Sequence, residues 1–250
     1  MESATMTTAM LLSAVGVVSL AGFVQGLTGF GFGMVVMGLL PAVLGLDEAQ
    51  AVATLTGVAA CATKTVIARE HVRWSSVGGL WLGTALGVPL GFTLLASLPQ
   101  PRVMQGLGLT ICLLVAFELV VARRGAVRLP EWMGWGIGLL SGSLSGAFNV
   151  GGPPLVAYIY DRPWTKEEQV ATLNGVFIAS GLVRFGMLAV HDQLHADTWT
   201  SAAWSVGPML AAILCGSWLL KFIPQQRLRM GVYLALLALG GYYLIAGATI

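Results

Sequence analysis

Residues able to do chemistry are few in this chain, and they gather at two places. Gly26-Leu27-Thr28-Gly29-Phe30-Gly31-Phe32-Gly33 and Asn149-Val150-Gly151-Gly152-Pro153-Pro154 each interrupt a long apolar run. Glycine admits backbone conformations that end a helix; proline lacks the N–H that would continue one but suits a first turn. Each stretch therefore reads as helix, unwound backbone, new helix N-terminus. Such an N-terminus presents unpaired N–H groups and about half a positive charge, so it can hold an anion without a lysine. The expected donors are backbone amides at Gly29, Gly31, Gly151 and Gly152, the Thr28 hydroxyl and the Asn149 side chain. Thr56 and Asn174 stand at matching points further along and are expected to complete a polar ring around the same anion.

Other chemistries lack their residues. Arg123 flanks Glu118 and reads as its ion-pair partner, and His71, His191 and His195 have no metal-ligand company. No Ser/His/Asp or Cys/His group forms a catalytic site, because the candidates fall on opposite membrane faces. Neither an enzyme activity nor a cofactor is expected. Gly29-x-Gly31-x-Gly33 lacks the strand that a nucleotide-binding loop follows. Cys61, Cys112 and Cys215 sit in apolar stretches without a CxxC pair and read as packing residues. The pairs Gly22/Gly26, Gly87/Gly91 and Gly134/Gly138 read as helix-packing contacts.

The elements that position these residues follow from composition. Among 250 residues, 10% are charged and 56% hydrophobic, and the mean hydropathy is +0.82. A globular protein carries about 25% charge, so a soluble fold is excluded and an all-α polytopic membrane protein is expected. A net charge of +2 points to no nucleic-acid partner. The lipid bilayer and a small anion are the partners implied, and a second copy of the chain stays open as a third. Charges and turn residues divide the chain into ten segments: 6–26, 30–45, 49–69, 75–98, 103–122, 132–148, 153–160, 167–190, 200–221 and 228–248. The first begins beside Glu2 and is too long for a signal core, so it reads as a membrane segment. The third, fourth, fifth, eighth, ninth and tenth are long enough to cross alone. The 29 uncharged residues from Trp132 to Tyr160 would span about 43 Å as helix. That is too short for two crossings and enough for a hairpin that enters, breaks and leaves by one face, or for one span plus a partial return.

The segments repeat. Gly22, Gly26 and Gly31 recur as Gly142, Gly146 and Gly151. Ala53-Thr54-Leu55-Thr56-Gly57-Val58 recurs as Ala171-Thr172-Leu173-Asn174-Gly175-Val176, and Pro99-Gln100-x-Arg102 as Pro224-Gln225-x-Arg227. Two repeats are expected, 1–125 and 126–250, forming one transport unit. If each broken pair is a re-entrant hairpin, the repeats are inverted. One face then holds Arg69, Arg73, Arg123, Arg124, Arg128, Arg162, Lys166, Lys221, Arg227 and Arg229, and the other only Arg102. Counting each pair as one crossing splits the same residues five to six. The positive-inside rule selects the inverted topology, with both termini outside and the hairpin tips near the midplane. Residue 126 is then inside and residue 194 outside. Lys64 snorkels to the inner edge. Arg184 is the deepest cation on the outer half and is assigned a substrate or gating role.

The glycine-rich break at Gly26–Gly33, the run Gly151-Gly152-Pro153-Pro154-Leu155 and the Ala-Thr-Leu-x-Gly run after each resemble the TauE/SafE-type sulfite exporter family over residues 10–248. The resemblance implies a polytopic inner-membrane permease with a duplicated domain. Its implied substrates are sulfur-containing or organic anions such as sulfite, sulfoacetate, thiosulfate or related sulfonates. The first break departs from the consecutive glycines and proline that many members carry, so Asn149, Gly151 and Gly152 take more weight than their first-half counterparts. The expected function is secondary transport by alternating access; an anion channel and a scaffold subunit are the alternatives. Substituting leucine at Asn149 is expected to abolish binding and leave folding intact.

Overall fold

The computed structural model describes residues 7–124, 129–219 and 225–249. Arg128, Lys221 and residue 126 lie outside the described residues, as do the side chains of Glu118, Arg123, Arg124, Arg227 and Arg229. The described chain is helical, without a strand. Its α-helices are α1 Thr8–Thr28, α2 Phe32–Leu39, α3 Pro41–Leu44, α4 Leu46–Ile67, α5 Gly78–Ala96, α6 Gln100–Arg124, α7 Gly134–Phe148, α8 Gly152–Tyr160, α9 Lys166–Val190, α10 Ala196–Leu219 and α11 Gln225–Thr249.

Six of these are long and apolar enough to cross a membrane: α1, α4, α5, α6 over Gln100–Phe117, α9 and α10. The expected set differs at both ends. α1 qualifies with 21 residues, although it belongs to a broken pair, and the apolar part of α11 is described only as Tyr233–Ile245. The breaks are also tighter than the sequence suggests. α1 continues through Thr28, and α8 absorbs Pro153 and Pro154 into its first turn, so only residues 29–31 and 149–151 are unwound. Tryptophans 74, 132, 199 and 218 are exposed near helix ends, where an amphipathic ring meets the membrane interface, while Trp204, also exposed, lies two turns inside α10.

Glycine stripes set the helix pairing. On α5, Gly79, Gly83, Gly87 and Gly91 recur every four residues and share one face. An adjacent stripe, about 60–100° round the helix, carries Leu82, Leu86, Leu90 and Leu94, all exposed and therefore facing lipid. The glycine face meets Gly138, Gly142 and Gly146 of α7, backbone against backbone, with the two helices running the same way. A Cβ on Gly87 would lie 2.8 Å from Ser143 N and collide with Leu139 O. Close backbone approach is how membrane helices gain dispersion contacts when lipid removes the hydrophobic incentive to associate. Gly87→Ala is therefore expected to destabilise by about 1–3 kcal/mol, read as a lower unfolding temperature in detergent. Gly16→Ala, with nothing within 4 Å of its Cβ, should leave that temperature unchanged.

A matched contact joins α1 to α10. Gly22 and Gly26 abut the carbonyls of Met209 and Ile213, as Gly142 and Gly146 abut those of Thr84 and Val88. α4 and α9 pack at the centre and run antiparallel: Gln50 and Thr54 meet Arg184, and Val58 meets Gly181. α6 and α11 are likewise antiparallel, with Gly108 against Gly240 and Leu244, and Cys112 against Gly240. α2 packs on α4 and α11; α8 packs on α9 and α6. On the arginine-rich face, Arg73 donates to Glu168 (2.5 and 2.9 Å) and its amide to Thr172 Oγ1 (3.1 Å), tying the α4–α5 connection to the start of α9.

Candidate functional site

Both breaks open onto one cavity of about 70 Å³, large enough for several waters or one small oxyanion. Ala53, Gly57 and Cys61 from the middle of α4 line it, as do Phe177, Ser180 and Gly181 from the middle of α9. The cavity thus sits at mid-depth of the two central helices. The breaks touch there: a Cβ on Gly33 would collide with the carbonyl of Asn149.

The first break turns on Gly29 (φ 84°) and Gly31 (φ 93°), a region that costs L-residues but not glycine. The Thr28 hydroxyl braces this turn, 2.9 Å from Val24 O and 2.5 Å from Phe30 O. Gly31 then caps α2 without any side-chain cap, and the first helical bond is Val35 N–H to Gly31 O (3.1 Å). The amides of Phe32, Gly33 and Met34 are left without helical acceptors, and all three residues line the cavity. The second break turns on Asn149 (φ 58°), the residue type other than glycine that best tolerates this region. The Ser141 hydroxyl fixes it by donating to Gly151 O (2.5 Å). Its helix starts Gly152-Pro153-Pro154, and the two prolines have no N–H to offer. Gly151 and Gly152 supply its backbone donors, and Asn149, which lines the cavity with no intramolecular side-chain bond among the described residues, adds an amide. The greater weight expected for the second break is thus not reflected in donors: the first presents more amides, the second a free side chain.

Of the nine residues singled out in the sequence, Gly31, Asn149, Gly151 and Gly152 line the cavity. Thr28 and Gly29 lie behind it as turn residues. Thr56 is fully buried and donates to Val52 O (2.6 Å) on its own helix. Asn174 donates to Gly29 O (3.1 Å) and Val170 O (2.8 Å). These two do not close a ring around the cavity; Asn174 holds the first break from outside.

Arg184 is also behind the wall. It is fully buried and donates to Thr54 Oγ1 (3.1 Å), Gln50 Oε1 (2.8 Å), Ser145 O (2.6 Å) and Gly146 O, with Phe92 under its guanidinium at 5.8 Å. Among the described residues no carboxylate pairs with it. It caps the carbonyl end of α7, where the helix dipole is negative, and it reaches the cavity only through Thr54 and Ser145.

Four polar residues of the wall escaped the sequence reading: Gln25, Thr54, Ser145 and Ser180. Gln25 lines the cavity from α1, donating Nε2 to Asn174 Oδ1 (3.0 Å) and Cys61 Sγ (3.7 Å). Two carbonyl partners fix the orientation of the Asn174 amide, which in turn fixes that of Gln25 and leaves Gln25 Oε1 buried without a donor. Ser145 and Ser180 share a bond of 2.7 Å across α7 and α9. One hydroxyl proton of that pair is free for a ligand. Gln25 and Ser145 stand at matching positions, one turn before each break, and that offset was the available signal. Gln25→Met would strand Asn174 Oδ1, and we expect a loss of about 1–3 kcal/mol. An unchanged thermal transition for this variant would show that Asn174 needs no partner.

Comparison with known proteins follows the same lines. The family model described as "Sulfite exporter TauE/SafE" matches residues 14–243. The "Probable sulfite/organosulfonate exporter TauE" of Cupriavidus necator is 30% identical, across 83% of this chain and 84% of that protein. The "Probable inner membrane transporter protein TsaS" of Comamonas testosteroni is 26% identical, across 68% and 72%. No solved structure matches the chain.

Proposed function

The chain belongs to the sulfite exporter TauE/SafE family of membrane transporters, and from this we propose that it is a secondary carrier for a small sulfur oxyanion or organosulfonate, working by alternating access. The convergence of both breaks on one mid-depth cavity carries this reading. The α2 amides, the Gly151 and Gly152 amides and the Asn149 side chain bind the anionic head. The free proton of the Ser145–Ser180 pair adds a donor. Arg184 and Asn174 hold the two breaks in register from behind the wall, and Thr28 and Gly29 shape the first turn. Thr56 takes no part in binding.

The carrier is built from two inverted repeats, 1–125 and 126–250. The antiparallel courses of α4 with α9 and of α6 with α11 support this reading, since repeats of equal orientation would run those partners the same way. The matched glycine contacts support it too. The arginine-rich face is cytoplasmic and both termini are external. Single cysteines placed at residues 194 and 166 test the orientation: position 194 should react with an impermeant thiol reagent from outside and position 166 only after permeabilisation. The reverse pattern overturns the topology.

Transport itself is tested with purified protein in liposomes loaded with labelled sulfite. Saturable efflux that accelerates when unlabelled sulfite is present on the far side is the expected result. Flux without saturation or trans-stimulation would mark a channel, and no flux at all would exclude an autonomous carrier of this anion. Efflux needs no coupling ion, because the membrane potential drives an anion outward by about 2.3 kcal/mol per charge per 100 mV.

A further inference from the structure

Each half of the molecule places a cation on the long helix that follows its broken pair. Arg184 is 18 residues from the start of α9, and Lys64 is 18 residues from the start of α4. Each also stands near the carbonyl end of a broken helix. Arg184 donates directly to Gly146 O at the end of α7. Lys64 Nζ donates to Ser217 Oγ (2.6 Å), whose hydroxyl lies 2.7 Å from Ile213 O on its own helix and 3.3 Å from Gly26 O at the end of α1. Gly26 and Gly146 are the matching residues of the two repeats. Because α4 and α9 run antiparallel, the two cations bracket the cavity from opposite sides of the membrane. On α9 the wall residues Phe177, Ser180 and Gly181 precede Arg184; on α4 the wall residues end at Cys61, one helical turn before Lys64.

The two cations differ in how they are held. Arg184 is sealed, with four of its five N–H donors spent on protein acceptors. Lys64 is half-buried and, among the described residues, has one hydrogen bond, to a neutral hydroxyl, and no carboxylate partner, so two of its three N–H groups find no acceptor there. A charge that partly leaves water without a counter-ion, one turn from an anion cavity, is a place for an anion. Snorkelling alone does not account for it, since Ser217 of α10 holds the ammonium beside the end of α1.

We propose that the Lys64 ammonium is a second anion-binding station, on the cytoplasmic side of the cavity, which receives the substrate before it reaches the breaks. This rests on the transport reading above. The station takes the same class of ligand, a small oxyanion, but holds it through charge rather than through oriented amides. It therefore sets how readily substrate is captured from the cytoplasmic side, with little influence on the affinity of the cavity.

The test uses the full chain in liposomes of defined orientation and labelled sulfite as probe. Lys64→Gln keeps a hydrogen-bond donor for Ser217 and removes the charge. Its KM for sulfite supplied from the cytoplasmic side should rise about tenfold, the loss of one partly desolvated charge contact. The KM from the opposite side should stay within twofold. Wild-type KM on the cytoplasmic side should increase with ionic strength, and the variant should lose that dependence; Lys64→Arg should keep both properties. An unchanged cytoplasmic KM and salt dependence in Lys64→Gln, with normal sulfite flux, overturns the station and leaves the carrier standing. Equal shifts from both sides would assign Lys64 to capping α1 and also overturn it. Wild-type protein that neither binds nor moves sulfite overturns the transport reading, and the station with it.

Discussion

Arg184→Leu is expected to abolish transport and to lower stability by about 3 kcal/mol or more. The guanidinium satisfies Ser145 O, Gly146 O, Gln50 Oε1 and Thr54 Oγ1 in a fully buried site. Each buried acceptor left unpaired costs about 1–3 kcal/mol, and relief of the buried charge returns only part of the sum. The functional loss has a separate origin. Without the cation, the carbonyl end of α7 faces the anion with an uncompensated negative dipole. Arg184→Lys separates the two effects, because it keeps the charge but cannot reach four acceptors with one ammonium. We expect a folded protein with a raised KM. Full activity in the lysine variant would mean that charge alone suffices and that the fork geometry is incidental. Unfolding temperature and sulfite flux, measured on the same preparations, decide the matter.

The second large effect lies at Asn149. Its φ of 58° makes leucine a poor probe, since a bulky side chain there costs about 1–2 kcal/mol of backbone strain. The expectation of intact folding in the leucine variant is therefore revised. Glycine adopts that conformation freely, so Asn149→Gly removes the amide and spares the turn. Sulfite affinity should fall by about ten- to a hundredfold, the equivalent of one hydrogen bond to a charged group. The unfolding temperature should stay close to that of the wild type. Undiminished affinity would remove the side chain from the site and leave binding to the backbone amides alone.

Helix existence, the breaks and the internal repeat could all be read from sequence because each depends on neighbours along the chain. Gly-x-Gly and Gly-Gly-Pro-Pro stop and restart helices wherever they occur, and Gly79, Gly83, Gly87 and Gly91 mark a packing face by their spacing alone. The lining of the cavity depends instead on which faces of six helices turn inward. Thr56 shows the difficulty. Its place in the repeat suggested a ligand, yet its hydroxyl bonds back to Val52 O on its own helix, as threonine in a helix often does. Gln25 shows the converse. A glutamine inside an apolar helix drew no attention without its partners Asn174 and Cys61, which are remote in sequence. The depth of Arg184 could be read from its distance to the helix end, but its acceptors come from α4 and α7 and needed the assembled bundle.

The pairing of α1 with α10 has a consequence for synthesis. The contact between Gly26 and Ser217 spans 191 residues. At about 5–20 residues per second, α1 waits roughly 10–40 s in the bilayer before its partner has been made. For that time its glycine face has no native neighbour, and the Gln25 amide has only Cys61 until Asn174 is made. The first half is therefore a candidate client of the insertion machinery, held until the last third of the chain arrives. Residues 1–125 expressed alone should be degraded, and co-expression with 126–250 should rescue them.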